Sequence, residues 1–263
     1  MLPSEAGWGT IVPELETTPR GTEMKCLKMV LCLSILGQAA AAQLVVFDNS
    51  HAPGHEMYDD FIADLTSRGY TVEKRSTPLM DNGDADVIVL MPEDAYAADG
   101  NAYTSQEAVW LMEFVDSGKG LFAGLCPNID YWSNLLEVMD EFGIASGYYI
   151  CNPAYYIYFT SHPLFAGVQE MGNEFSYCLS LTASFPSTAI ASDGLHDYVA
   201  CYENEARGDG AAVWVSQYRM MSDDGLDDYD NLAFLRNAFA WLSHGGDVAD
   251  EASSWGEVKR LYR

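Results

Sequence analysis

Short apolar runs alternate with segments of helical period along residues 43–125, and this alternation constrains the fold more than any other feature of the chain. Residues 43–48 (QLVVFD), 71–74, 86–91 (DVIVLM) and 120–125 (GLFAGL) read as strands. Between them, residues 56–68 carry Met57, Phe61, Ile62 and Leu65 at helical spacing, and 105–116 is expected as a helix with Val109, Leu111, Met112 and Val115 inward. Strands that alternate with helices pair in parallel, with right-handed crossovers, because each helix must carry the chain back to the same end of the sheet.

After a predicted helix at 130–142 the pattern changes. Residues 147–151, 155–159, 177–181, 188–191 and 198–202 are short, aromatic and β-branched, separated by Pro, Asn and Gly, and are expected as added or edge strands. Residues 211–216 (AAVWVS) return to a buried-strand composition. Residues 231–243 close the domain as a helix with Leu232, Leu235, Ala238, Phe239 and Leu242 on one face. With 49% hydrophobic and 13% aromatic side chains in 263 residues, the chain can bury one full-sized core, and disorder throughout is excluded.

Residues 24–42 have the three-part layout of a signal peptide: Lys25 and Lys28 at the start, an apolar run at 29–36, and small residues at 39–42. The apolar run is too short to span a bilayer, so no membrane span is expected. A buried helix over 30–42 is the alternative, but the Lys-led start and alanine-rich end favour cleavage near Ala42. Residues 1–23 show no periodic apolar pattern and Met24 opens a complete signal by itself, so 1–23 reads as a leader from an upstream start. The expected organisation is leader 1–23, signal 24–42, one domain over 43–246, and a linker with a short tail over 247–263. The protein is accordingly expected to be exported, to a periplasmic or extracellular location.

Export would remove Arg20, Lys25 and Lys28 with Glu5, Glu14, Glu16 and Glu23, leaving 10 basic and 35 acidic side chains, a balance of −25. So much negative charge repels nucleic acid and anionic membrane surfaces. Four cysteines would remain, Cys126, Cys151, Cys178 and Cys201. An even number in an oxidising compartment points to disulfides, with three connectivities open. No cysteine spacing resembles a structural zinc site, and neither a metal nor a cofactor is expected. Asp223, Asp224, Asp227, Asp228 and Asp230 crowd the loop before the last helix, but their spacing does not fit a calcium loop, and acid near a helix N-terminus is favourable without metal.

In open parallel sheets, ligands settle where loops leave the carboxyl ends of the strands. Those loops would gather Asp48, Ser50 and His51 after the first strand, Glu93 and Asp94 after DVIVLM, Cys126 and Asn128 after GLFAGL, and Gln217 to Arg219 after AAVWVS. The piece Gly124-Leu125-Cys126-Pro127-Asn128 has the form of a strand running through a tight turn into a helix. Such a turn can project a nucleophile with a helix N-terminus behind it. A buried or disulfide-bonded Cys126 is the competing reading.

Four segments carry a resemblance over about residues 43–245: VVFDNSHAPG with a helix ending in RGYTVE, the GKGLFAGLC strand and elbow, His162-Pro163-Leu164-Phe165-Ala166-Gly167-Val168, and DNLAFLRNAFAWL. Together they resemble the class I glutamine-amidotransferase-like superfamily. The nearer likeness is to its exported or non-catalytic relatives: the domain-of-unknown-function group DUF4350, the amino-terminal domain of an intraflagellar-transport subunit, and ThuA-like proteins. The resemblance implies a flavodoxin-like three-layer sandwich with a mostly parallel sheet and extra edge strands. It places Cys126 at the amidases' nucleophile position. Where their late strand carries the catalytic His, this chain has Gln217, Tyr218 and Arg219, so the base has no match. The expectation is a non-catalytic binding domain whose ligand, a glycan, a peptide or an envelope protein, meets Asp48, Ser50, His51, Glu93, Asn128, Gln217 and Arg219. The alternative is an amide or ester hydrolase built on Cys126 with His51 as a displaced base.

Overall fold

A computed structural model describes residues 42–51, 58–91, 102–125, 133–150, 154–156, 158–173, 177–203 and 210–243, all within the compact unit Ala42–Arg263. The leader, the signal segment up to residue 41, the tail at 247–263, and the site candidates Glu93, Cys126 and Asn128 lie outside the described residues. Four strands come first, β1 (Leu44–Asp48), β2 (Thr71–Arg75), β3 (Val87–Leu90) and β4 (Gly120–Gly124). They are followed by β5 (Ile144–Ile150), β6 (Ala154–Tyr156), β7 (Tyr158–Phe159), β8 (Met171–Asn173), β9 (Tyr177–Ala183), β10 (Thr188–Ser192), β11 (Asp197–Glu203) and β12 (Ala211–Val215). The α-helices are α1 (Asp59–Ser67), α2 (Ser105–Asp116), α3 (Leu136–Glu141) and α4 (Asn231–Ser243).

The described strands form a ten-stranded sheet whose main path runs β2-β1-β3-β4-β12-β11-β10-β7. The first five are parallel, with Val46 opposite Glu73 and Ile88, and Val215 opposite Gly124. Their order is that of the flavodoxin-like doubly wound sheet, in which the chain reverses direction of growth between β1 and β3. β11, β10 and β7 continue the sheet antiparallel, and β5 with β9 forms an antiparallel pair joined to β11 at Asp197 and Leu181. The parallel core is the expected one; the antiparallel additions make the sheet as a whole mixed. β11 and β10 lie inside it rather than at an edge, β11 between β12 and β10 with Tyr198 to Tyr202 buried, and β10 between β11 and β7. Residues 155–159, expected as one strand, divide between β6, which pairs with β8 in a separate two-stranded sheet, and β7, which pairs with β10.

Because side chains alternate across a strand, each strand feeds two cores. Val45, Phe47, Val87, Val89, Phe122, Val213 and Val215 face α1 and α4, where Phe239 packs 5.2 Å from Phe61 and 5.4 Å from Phe122 between ring centroids. Val46, Ile88, Leu90, Leu121, Ala123, Ala212 and Trp214 face α2 and α3 on the other side. This is the three-layer sandwich. In α2 the inward residues are Ala108, Leu111, Phe114 and Val115, whereas Val109 is 45% exposed, contrary to its expected inward place. The period of 3.6 puts 108, 111 and 115 on one face and turns 109 away from it.

Two tight approaches set the carboxyl edge. A Cβ on Gly124 would meet the Met91 side chain at 2.9 Å and the Cβ of Tyr218 at 3.2 Å, so glycine lets the ends of β3 and β12 close around β4. Beyond β4, Leu125 N donates to Val215 O (2.8 Å) and Tyr218 N donates to Leu125 O (2.9 Å), pinning the residue before Cys126 to the end of β12.

Candidate functional site

β1 ends in Asp48, which is fully buried, and the chain then turns back on itself so that residues 50 and 51 satisfy that carboxylate. Ser50 donates to Oδ1 from both its backbone N (3.0 Å) and its Oγ (2.6 Å). Tyr103, 55 residues later in sequence, donates its hydroxyl to Oδ2 at 2.7 Å. His51 Nδ1 lies 3.0 Å from the same Oδ2 and 2.8 Å from Ser50 Oγ. On its far side, His51 Nε2 lies 3.2 Å from Glu107 Oε1. The imidazole also stacks on the Tyr103 ring, with centroids 3.9 Å apart and planes 18° from parallel.

Both ring nitrogens of His51 thus meet carboxylates, an arrangement satisfied only when both carry protons. The directions of titration agree. Burial alone would disfavour the imidazolium, but the hydrogen bond and charge of Asp48, with the charge of Glu107, outweigh it and raise the His51 pKa above its ordinary value. Burial likewise works to raise Asp48, and the hydrogen bonds from His51, Ser50 and Tyr103 outweigh it and hold the carboxyl below the usual range. Tyr103 is pushed well above the ordinary phenol value by burial first and by Asp48 second, so it stays a donor.

Glu107 reaches this position through local helix chemistry. Thr104 caps α2 and its side chain accepts from Glu107 N (3.2 Å), while Glu107 Oε2 accepts from Thr104 N (2.8 Å) and Thr104 Oγ1 (2.8 Å). One carboxylate oxygen completes the capping box and the other is left for His51. Sequence reasoning missed both Tyr103 and Glu107. The Thr-x-x-Glu signature before an apolar run was the signal for the second, and nothing local marks the first.

Of the expected site residues, the structure brings Asp48, Ser50 and His51 into one cluster at the β1 end, where the strand order reverses. Gln217 is fully buried beyond β12, and Arg219 is half-buried with Nε 3.3 Å from the Tyr218 hydroxyl. Asp48, His51 and Gln217 are therefore framework beneath the surface, and Ser50 and Arg219 reach solvent. An imidazolium donating from both nitrogens has no lone pair to take a thiol proton. β1 and β4 are separated by β3, which sets their ends roughly 10 Å apart.

The two other histidines among the described residues have structural partners. His162 precedes a 3₁₀ turn (Pro163–Phe165), its Nδ1 accepting from Leu164 N (3.4 Å) and its Nε2 lying 2.8 Å from Glu203 Oε1. His196 Nδ1 lies 3.4 Å from Asp193 Oδ2 in the β10–β11 turn. Cys201 carries a free thiol, buried on β11, so the two-disulfide frameworks expected from four cysteines are excluded. β11 turns Cys201 toward α4, and His162 Nε2 stands 4.0 Å from its sulfur. In the acidic loop, Asp223 accepts from Asp60 N (3.0 Å) at the start of α1 and Asp230 from Gln169 N (2.8 Å), both structural tasks.

The fold is a flavodoxin-like α/β sandwich. No protein-family model and no curated protein matches the chain. Among solved structures, it is similar to the N-terminal domain of mmIFT52, with 15% identity and a TM-score of 0.63 over 76% of this chain and 97% of that one. It is also similar to the cytoplasmic protein STM1381 from Salmonella typhimurium LT2, at 12% identity and a TM-score of 0.55 over 76% and 99%. A glutamine amidotransferase from Thermotoga maritima matches more distantly, at 9% identity and a TM-score of 0.46 over 84% and 94%. For the first two, identities this low show a shared fold alone. Among the described residues no helix is long and apolar enough to cross a membrane.

Proposed function

We propose that this is an exported, non-catalytic binding domain of the amidotransferase-like fold, periplasmic or extracellular, whose ligand meets the carboxyl edge of the sheet at the β1–β3 reversal. The reading includes the narrower likeness to the exported DUF4350-like and ThuA-like groups. The observation that carries it is the spent imidazole: His51 is held between Asp48 (3.0 Å) and Glu107 (3.2 Å), which together favour its charged form. A general base needs a free lone pair near neutral pH, and such a clamp withholds it. The same clamp lies beneath the surface and holds Ser50 in place above it. Half-buried Ser50 and Arg219 offer a hydroxyl and a guanidinium to a glycan, a peptide or an envelope protein, and the chain's negative charge repels nucleic acid.

The hydrolase alternative rests on Cys126, and one experiment separates the two. Alkylation of Cys126 in the folded chain, followed across pH by mass spectrometry, reads its thiolate fraction. A rate that rises only near the ordinary thiol range of about 8.5 supports the binding domain. Rapid labelling at about pH 6, together with amide or ester hydrolysis lost in Cys126→Ala, overturns it. Sequencing the amino terminus of protein recovered outside the cell tests export: a start near Gln43 supports it, and retention of residues 24–42 in the cytoplasm refutes it.

A further inference from the structure

His162 and Glu203 form a hydrogen-bonded pair that the carboxyl-edge site does not use, and the buried thiol of Cys201 lies beside it. One ligand atom from each, His162 Nε2, Cys201 Sγ and a Glu203 carboxylate oxygen, fall within 4.8 Å of one another. Cys201 and Glu203 are two apart on β11 and share a face of the strand; His162 comes from the turn after β7. The Trp241 ring stands edge-on to the imidazole at 5.0 Å and Phe165 at 6.4 Å, giving the cluster an apolar wall on the α4 side. Glu203 reaches solvent, its side chain 41% exposed, while that of His162 is 12% exposed.

We infer that His162, Cys201 and Glu203 form a three-ligand site for a zinc ion, with the fourth position left to water. The donor set is nitrogen, sulfur and oxygen, each a zinc ligand, and three protein ligands with one open position is the arrangement of zinc sites that bind an exchangeable molecule. Charge balances: Zn²⁺ with one thiolate and one carboxylate is neutral, which suits a site walled by Trp241 and Phe165. Bonds of about 2.0–2.3 Å in tetrahedral geometry put ligand atoms roughly 3.3–3.7 Å apart. The His162–Glu203 pair at 2.8 Å must open and the Cys201–His162 pair at 4.0 Å must close, each by less than about 1 Å, and the exposed Glu203 can take most of the movement.

The protons can be followed. In the metal-free chain His162 Nδ1 accepts from Leu164 N at 3.4 Å, so the ring proton sits on Nε2 and is donated to Glu203. Cys201 carries a free thiol. Zinc takes the place of both protons: the ring proton moves to Nδ1, giving up the long contact with Leu164, and the thiol proton leaves to solvent. Binding therefore releases one proton per ion.

The test uses the full chain, freed of metal and titrated with Co²⁺ as a spectroscopic stand-in and then with Zn²⁺. The expected result is a thiolate-to-cobalt charge-transfer band in the near ultraviolet, with intense visible bands of tetrahedral cobalt, saturating at one equivalent and bleached by zinc. Cys201→Ser should lose the charge-transfer band, and Cys126→Ser should retain it. Glu203→Gln, at an exposed position that does not endanger folding, should weaken zinc binding about tenfold or more, since even outer-shell partners are worth that much. Absence of the band, its persistence in Cys201→Ser, or unchanged zinc affinity in Glu203→Gln overturns the site.

Discussion

Replacing Glu107 with glutamine removes one of the two carboxylates around His51 while keeping the side chain's volume. The glutamine carbonyl can still accept from Thr104 N, as Glu107 does at 2.8 Å, so the cap on α2 survives. Its amide group then faces His51 Nε2 with a donor, and a ring donating from both nitrogens is no longer accommodated. The loss is one charge-assisted hydrogen bond, about 1.5–3 kcal/mol, less the ordinary bond that an amide makes to a neutral ring, which leaves about 1–2 kcal/mol. The pH dependence gives the sign. The folded His51 pKa is raised above 6.5, so the clamp's stabilisation is complete below the unfolded value and disappears as pH rises through the folded one. Asp48 is lowered, so its contribution is lost only in acid and is common to both proteins. Urea unfolding at about pH 6 should therefore show the variant about 1–2 kcal/mol less stable, with the gap closing at an alkaline pH above the folded His51 pKa. At about 2–4 °C per kcal/mol, the corresponding fall in Tm is roughly 2–8 °C. An equal loss at both pH values would mean that the clamp holds no charge, and no loss at either would mean that Glu107 does not act on His51.

Three further outcomes follow from the packing. Asn231 is fully buried and bridges β8 to the loop before α4 through Gly172 N (2.9 Å), Gly172 O (2.6 Å) and Gly225 O (2.8 Å), so Asn231→Ala should cost about 2–5 kcal/mol in chemical denaturation. A loss under about 1 kcal/mol would show that water replaces the amide. A Cβ on Gly210 would sit 1.7 Å from Val115 O, so Gly210→Ala must move backbone where β12 enters the sheet, and about 3 kcal/mol or more is expected, readable as a lower urea midpoint. Asp64 joins α1 to α4 through Arg236 (2.6 and 3.1 Å), and the Arg236 hydrogen bond first, against burial, lowers its pKa. Its contribution is thus present above the usual carboxylate range and lost in acid. Asp64→Asn should cost about 1 kcal/mol or less near neutrality, shrinking in high salt, and a salt-independent loss would contradict the ion-pair account.

Much of the fold was legible because it is local. The helices at 105–116 and 231–243 and the strand at 120–124 announce themselves through periodicity, since a buried face must repeat every 3.6 or every 2 residues. The first half of the site was legible for a related reason: Asp48, Ser50 and His51 follow directly on a buried strand, and in a parallel sheet that is where function collects. Val109 shows the limit even of local reading, since a valine beside the true inward face differs little in sequence from one upon it.

Sequence by itself determined the class, a sheet of apolar strands wrapped by helices, because each element's hydrophobic period fixes its type and its need for cover. Tertiary structure alone decided the partners. That β11 would lie inside the sheet, that Tyr103 would reach Asp48 across 55 residues, and that Cys201 would come within 4.0 Å of His162 across 39 depends on strand order and register. Those are settled by the packing of the whole core, in which each strand's choice of neighbour depends on every other, and no spacing within one segment encodes it.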